Sequence, residues 1–227
     1  MIIDNLIQLN EHLEELDFPP VLNTDNFCSL MWNPTTGDYT MEVKAALLEG
    51  TSLTSTLHIR QAGNTDSYYL EYFVSLLSGL TADNTRKHAF PISLDIGHRE
   101  AFNLLSGRAV YKRLPKSPCD GAGCWLQINF EEVDSSGGYK WHHWRGFDLE
   151  KAFDRLPIRD VELGALKPFM LSSLRKGNQL QVTFERGRKT EQRLIEAAPS
   201  RRIIVIRVPE KVRLEGNDEF QSSAHIE

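Results

Sequence analysis

Apolar and polar positions follow two periods along this chain, and the points where one gives way to the other divide it into elements. Ile3, Leu6, Ile7, Leu9, Leu13 and Leu16 fall close to helical spacing, Asp4 or Asn5 can cap them, and Pro19-Pro20 ends the helix. Asn-Pro and Thr-Gly pairs mark 21–40 as loop with a short strand near Phe27–Trp32, and Met41–Leu48 reads as a short helix. Strands are expected at Ser52–Arg60 and Tyr68–Leu76 around a hairpin turn, and again at His88–Leu94. A helix at His98–Ser106 precedes strands at Ala109–Leu114, Trp125–Glu131 and Tyr139–Trp144. In the second of these, Leu126, Ile128 and Phe130 form one apolar face against Trp125, Gln127 and Asn129. Asp148 caps a helix at Leu149–Leu156, and another runs over Leu166–Arg175 with Pro168 in its first turn. Leu180, Val182 and Phe184 alternate with polar residues, Arg186-Gly187-Arg188-Lys189 turns the chain into Glu191–Ala197, and residues 203–208 form a buried strand.

One phrase, an apolar helix end, a glycine and then a β-like run, occurs three times. It stands at Leu47-Leu48-Glu49-Gly50, at Leu104-Leu105-Ser106-Gly107 and at Leu174-Arg175-Lys176-Gly177. Glycine just past a helix adopts the left-handed cap without a Cβ penalty, so each copy reads as helix stop and strand start. The expected fold is α+β, in repeated helix-then-antiparallel-strand units with short helices packed on antiparallel sheets. It divides into an N-terminal module at 1–97, a second at 98–214 and a disordered polar tail at 215–227, the modules sharing an extensive interface.

Composition narrows the class without naming a chemistry. The 227 residues are 41% hydrophobic and 25% charged, as in ordinary globular proteins. No apolar run nears the roughly 20 residues of a membrane span, and no signal peptide is visible, so a cytoplasmic, non-membrane protein is expected. Three cysteines (Cys28, Cys119, Cys124) do not make a disulfide scaffold. Charge is segregated: residues 1–43 hold eight acids and no Lys or Arg, whereas 175–213 hold eleven bases against four acids. The basic third suits nucleic acid or an acidic partner; the reading ranked ahead of it is that acidic start and basic end sit near each other in the fold, since outward-facing Arg and Lys also protect sheet edges.

The run Glu100-Ala101-Phe102-Asn103-Leu104-Leu105-Ser106-Gly107-Arg108-Ala109-Val110 resembles the "EAxNLLxGRAV" phrase of an uncharacterised family encoded in bacterial conjugative and other mobile elements. Similar runs follow in order: Trp125–Phe130, Gly146–Ala152, Ser173–Asn178, Val182–Phe184 and Ile195–Pro199. The resemblance spans roughly residues 98–208 and implies a mobile-element context; the family carries no catalytic assignment to transfer. The chain departs from it in the Lys116–Gly123 loop and around Trp141–Trp144.

Cys119 and Cys124 followed by His142 and His143 have zinc-ligand chemistry, but the spacing is loose and neighbouring strand residues point to opposite faces. A loop carrying two inert or occasionally oxidised thiols is the better reading, and no metal ligand or cofactor is assigned. Trp141-His142-His143-Trp144 can offer stacking surfaces for single-stranded nucleic acid, though strand tryptophans more often serve the core. No nucleophile elbow, phosphate loop or metalloprotease motif is present. The sequence therefore points to a non-enzymatic accessory protein binding DNA or RNA through a basic strand surface. That surface comprises Arg186, Arg188, Lys189, Arg193, Arg201 and Arg202, with Trp141 and Trp144 as stacking residues. The alternative is a module that binds a protein partner, or a second copy of itself, along exposed strand edges; an unrecognised hydrolase ranks last.

Overall fold

The structure is a computed structural model describing residues 2–19, 22, 38–48, 51–63, 65, 67–79, 85–113, 123–135, 137–159, 164 and 166–209. The expected strand at Phe27–Trp32, the tail at 215–227, Cys28 and Cys119 lie outside the described residues. The elements in order are α1 (Ile2–Glu15), β1 (Asp38–Leu48), β2 (Thr51–Gln61), β3 (Tyr68–Ser78), β4 (Arg86–Pro91), α2 (His98–Leu105), β5 (Val110–Lys112) and β6 (Cys124–Val133). They continue with β7 (Tyr139–Trp144), α3 (Leu149–Phe153), α4 (Lys167–Arg175), β8 (Leu180–Arg186), β9 (Lys189–Ala198) and β10 (Ile203–Arg207). Among the described residues the strands form three antiparallel sheets, ordered β1-β2-β3-β4, β5-β6-β7 and β10-β9-β8. Short helices on antiparallel sheets make this an α+β fold.

The first of the three glycine phrases is not a helix end. Met41–Leu48 is the second half of β1, paired in register with β2 from Asp38↔Arg60 to Ala46↔Ser52. Glu, Lys, Ala and Leu favour a helix locally, but the same residues alternate: Val43 is buried between exposed Glu42 and Lys44. Long-range pairing overrides local propensity here.

The other two phrases are helix ends with the same cap. After α2, Gly107 N–H donates to Leu104 O (2.9 Å) and Arg108 N–H to Asn103 O (2.9 Å); after α4, Gly177 N–H donates to Leu174 O (3.0 Å) and Asn178 N–H to Ser173 O (3.2 Å). These are paired Schellman bonds, and both glycines have the required positive φ, 83° and 78°. The two caps also pack against each other. Asn103, 1% exposed, donates from Nδ2 to Lys176 O (2.6 Å) and to Asn178 Oδ1 (2.9 Å). A Cβ on Gly177 would lie 2.8 Å from Ala109 O and 3.1 Å from Asn103 Cβ, so the approach of the two junctions depends on that residue being glycine.

Strand β6 sits at the centre. Cys124, Leu126 and Ile128 join a core formed with α1, α2 and the β1–β4 sheet, around Leu13, Leu57, Phe73 and Phe90. Trp125 points the other way, into a second core with Leu149, Phe153, Leu174, Val182, Phe184 and Ile195. Sequence alternation gave β6 one apolar face; its second face is covered too, by α3, α4 and the β8–β10 sheet. Its polar residues are hydrogen-bonded there. Gln127 donates to Gly107 O (2.8 Å) and accepts from Trp144 Nε1 (3.1 Å), and Asn129 Oδ1 accepts from Glu131 N–H (3.1 Å) beside the register shift that follows Asn129. The first core takes in residues on both sides of position 97.

The start of α2 is fixed to the end of α1. His98 N–H donates to Leu16 O (2.6 Å), and Glu100, buried in the first turn, accepts from Gly97 N–H (2.9 Å). Lys112 on β5 neutralises that carboxylate at 2.7 Å. At the other end of α2, Arg86 Nη1 donates to Leu105 O (2.9 Å) while its guanidinium lies 4.1 Å over the Phe130 ring. Gly187, in the β8–β9 turn, has φ 65° but open space where a Cβ would go. Gly187→Ala is expected to cost only the left-handed backbone penalty of about 1–2 kcal/mol. Gly177→Ala should cost distinctly more, because the methyl group also meets Ala109 O. Urea midpoints of the two variants test this, and equal losses would contradict the junction packing.

Candidate functional site

Two regions gather chemistry: the β8–β10 sheet, where the sequence placed the basic surface, and a cleft over the paired helix junctions, which the sequence did not reveal.

The basic residues of the sheet separate into groups. Arg186 and Lys189 are direct cross-strand partners at the tip of the β8–β9 hairpin, with Arg188 in the turn between them. All three are exposed, and no described carboxylate lies within ion-pair distance of them. Arg193 lies further along β9, half-buried, ion-paired with Glu191 and bonded through Nη1 to Gln192 O (3.0 Å). Arg201 and Arg202 stand beyond the far end of β9, about 30 Å from the tip at roughly 3.3 Å per residue. Between them the sheet carries uncharged or paired groups, with Gln192 bonded to Thr183 (2.8 Å) and Gln181 (3.4 Å) and Glu196 ion-paired with Arg207 (2.9 Å). The cations at the hairpin tip thus form one cluster, and Arg201 and Arg202 another.

Trp141 and Trp144 leave opposite faces of β7. Trp141 packs half-buried against the first core, with its ring 5.0 Å from His88 and 6.2 Å from Phe90. Trp144 packs against the second core and donates to Gln127, with His142 beside it at 5.3 Å. Each ring is committed to a different core, and β7 does not present both on one platform. Cys124 is 1% exposed and disulfide-bonded, so its sulfur is not a free thiolate for a metal, and such bonds are rare in the cytosol.

The cleft, about 940 Å³ in volume, lies where the end of α1, the exposed side of α2 and the α4–β8 junction meet. Its floor is the cross-linked pair of helix caps. Arg108 donates from Nη2 to Asn103 Oδ1, and Asn178 donates from Nδ2 to Ser173 Oγ (3.0 Å), the same cap-to-helix bond in both copies. Phe102 and Phe18 give it apolar walls: Arg108 lies 5.0 Å over the Phe102 ring, and Phe18 stacks on His98 at 4.6 Å. Glu14 and Asp17 stand at the α1 end, where Lys176 reaches Asp17 at 3.4 Å, and Arg99 is exposed at the rim.

The cleft brings a histidine, two carboxylates and a serine into one concavity, as a hydrolase would need. Ser173 is hydrogen-bonded to Asn178, however, and no described contact joins its hydroxyl to His98. Two buried nitrogens of residues that line the cleft, His98 Nε2 and Arg108 Nε, have no hydrogen-bond partner among the described residues. Burial pushes the His98 imidazole below its ordinary pKa against the pull of Asp17, so the ring is neutral at pH 7. Burial likewise lowers the Arg108 pKa, with Glu196 opposing the shift, though guanidinium stays charged. The signal missed in the sequence was the polar character of Asn103 and Arg108 inside the apolar Phe102–Val110 run.

His88, buried under β7, is also held below its ordinary value by burial, with Asp134 opposing. For both buried histidines the unfolded chain takes up protons first. Their contribution to stability is therefore complete above the ordinary value of 6.5 and is lost as pH falls through the lowered values in the fold. Glu100, raised by burial despite Lys112, acts in the opposite sense: its contribution is greatest at low pH and declines as pH rises through the carboxylate range. The urea midpoint is expected to drop over the interval from pH 6.5, the ordinary histidine value, down towards the carboxylate range. A midpoint that rises over that interval would contradict the assignment.

No protein-family model matches the chain, and no characterised protein or solved structure matches it either.

Proposed function

We propose that this is a non-enzymatic accessory protein that holds nucleic acid through the tip of the β8–β9 hairpin. The observation that carries the reading is the like-charge pair Arg186↔Lys189 with Arg188 in the turn between them. Like charges directly opposite on adjacent strands oppose hairpin formation, and here no described acid offsets them. In contrast, Arg193, Arg207, Lys112, Lys167 and Lys176 each have a carboxylate within reach. An exposed cationic tip that pairs with no described carboxylate suits a phosphate backbone, which takes charge without sequence readout. Arg201 and Arg202 would extend the contact along a longer strand. The resemblance to proteins of mobile elements belongs to the same reading.

A second reading rests on β10. This edge strand exposes Ile203 and Ile206, and Val208 follows it at 70% exposure, a surface suited to strand addition by a protein partner or a second copy. No helix among the described residues is long and apolar enough to cross a membrane.

Fluorescence anisotropy with labelled single- and double-stranded DNA across a salt series separates the two. Binding through the tip should weaken steeply with salt. The triple change Arg186→Ala, Arg188→Ala and Lys189→Ala should flatten the log–log salt slope by roughly 2–3, on the order of 0.7–0.9 per lost phosphate contact. Binding unchanged by that triple variant, or absent at low salt, would overturn the nucleic-acid reading and leave the β10 edge.

A further inference from the structure

The two edges of the β8–β10 sheet differ. On the β8 side the chain itself closes the edge: Ile158 bridges to Phe184, and Glu185 N–H donates to Pro157 O (2.8 Å). On the other side β10 pairs with β9 alone among the described residues, in unbroken register from Ile203↔Ala198 to Arg207↔Leu194. Edge strands are normally blunted by a proline, a bulge or a charge. Ile203–Ile206 has none of these. Backbone N–H and C=O groups along this edge are left for water or for another strand.

The side chains of β10 divide in the same way. Ile204 is buried in the second core with Leu149 and Phe153 of α3. Ile203 and Ile206 are 44% and 43% exposed, and Val208 beyond them is more exposed still. Eight large hydrophobic residues are exposed among the described residues, and these three fall within six consecutive positions, so apolar exposure is concentrated here. Positive charge stands at each end of the strand. Arg207 is neutralised by Glu196 (2.9 Å). Arg201 and Arg202, in the turn that leads into β10, are exposed and have no carboxylate within ion-pair distance among the described residues. The strand is thus an apolar edge with uncompensated positive charge at its N-terminal end.

We propose that β10 binds an extended protein segment that is apolar along the strand and acidic at the end beside Arg201 and Arg202. This rests on the strand-addition reading of β10 and goes beyond it in fixing the chemistry of the partner. Main-chain bonds to the open edge supply affinity, Ile203, Ile206 and Val208 supply apolar contact, and the two arginines select the charge. A second copy fits the charge less well. Residues 199–209 hold three arginines and no acid, so a self-paired β10 brings three cations from each copy along one seam. A nucleic acid would answer the two arginines but leave the apolar side chains and the backbone edge without partners.

The probe is a blocked peptide, Asp-Asp-Val-Thr-Val-Thr-Val-Asp-Asp, acidic at both ends so that it can add in either direction. Its control carries lysine in place of every aspartate. Each is titrated into the full chain and followed by fluorescence anisotropy and by amide exchange of Ile203–Arg207. The acidic probe is expected to bind saturably below about 1 mM, to slow exchange along β10, and to bind about tenfold or more tightly than the lysine control. Arg201→Glu with Arg202→Asn should abolish that preference; asparagine tolerates the left-handed backbone at 202, where φ is 55°. The comparison of the two peptides uses the native chain and stands even if this variant fails to fold. The triple alanine change at the hairpin tip should leave the probe bound as before. Equal binding of the two peptides would overturn the acidic partner while leaving strand addition in place. Protection of the β10 amides that grows with protein concentration and needs no peptide would give the edge to a second copy. Displacement of the probe from the tip variant by single-stranded DNA would give Arg201 and Arg202 to nucleic acid. Loss of the probe in the tip variant would overturn the proposal, and no binding at about 1 mM would overturn strand addition with it.

Discussion

The rest of the structure depends on a small sheet with both faces buried. β5-β6-β7 carries Leu126 and Ile128 into one core and Trp125 into the other, so neither core is complete without it. Period-two alternation makes this possible, since consecutive residues of β6 serve different cores. A sheet covered on both sides cannot solvate its polar side chains, which explains the hydrogen-bonded chain from Trp144 through Gln127 to Gly107. The same chain ties the central sheet to the cap of α2. That cap is locked in turn to the cap of α4 by Asn103 and by the close passage of Gly177.

This interlock also explains where chemistry collects. Two helix ends brought together concentrate orphan carbonyls and cap side chains in one place, and some polar atoms there find no partner. The cleft over them holds Asn103, Arg108, Ser173 and Asn178 in fixed geometry because each is bonded to another cap residue. The hairpin tip is a different kind of surface. It is wholly exposed from Glu185 to Gln192, and among the described residues its three cations pair with no carboxylate.

Much of the fold was legible in the sequence because local signals and tertiary packing agreed. The Asp148 cap accepts from Lys151 N–H (3.0 Å), and the glycine caps at Gly107 and Gly177 stand where the phrase placed them. Met41–Leu48 misled because its residues favour a helix one by one while their alternation favours a strand. The single apolar face of β6 misled because Gln127 and Asn129 look like solvent-facing residues, and burial with hydrogen-bond partners leaves no mark in one sequence. The basic residues were close in sequence but not in space, since a ten-residue strand carries its two ends far apart. The cleft was out of reach, because its walls come from the end of α1, from β2, from α2 and from the α4–β8 junction.

The most direct test of the central claim is native-state amide hydrogen exchange under increasing urea. If the doubly buried sheet couples the two cores, the slowest amides of β2 and β3, such as Leu57 and Phe73, and those of β8 and β9, such as Val182 and Ile195, should exchange through one opening. They should then share the same free energy and urea dependence. Exchange of Val182 and Ile195 through a separate, cheaper opening, with Leu57 and Phe73 still protected, would contradict it.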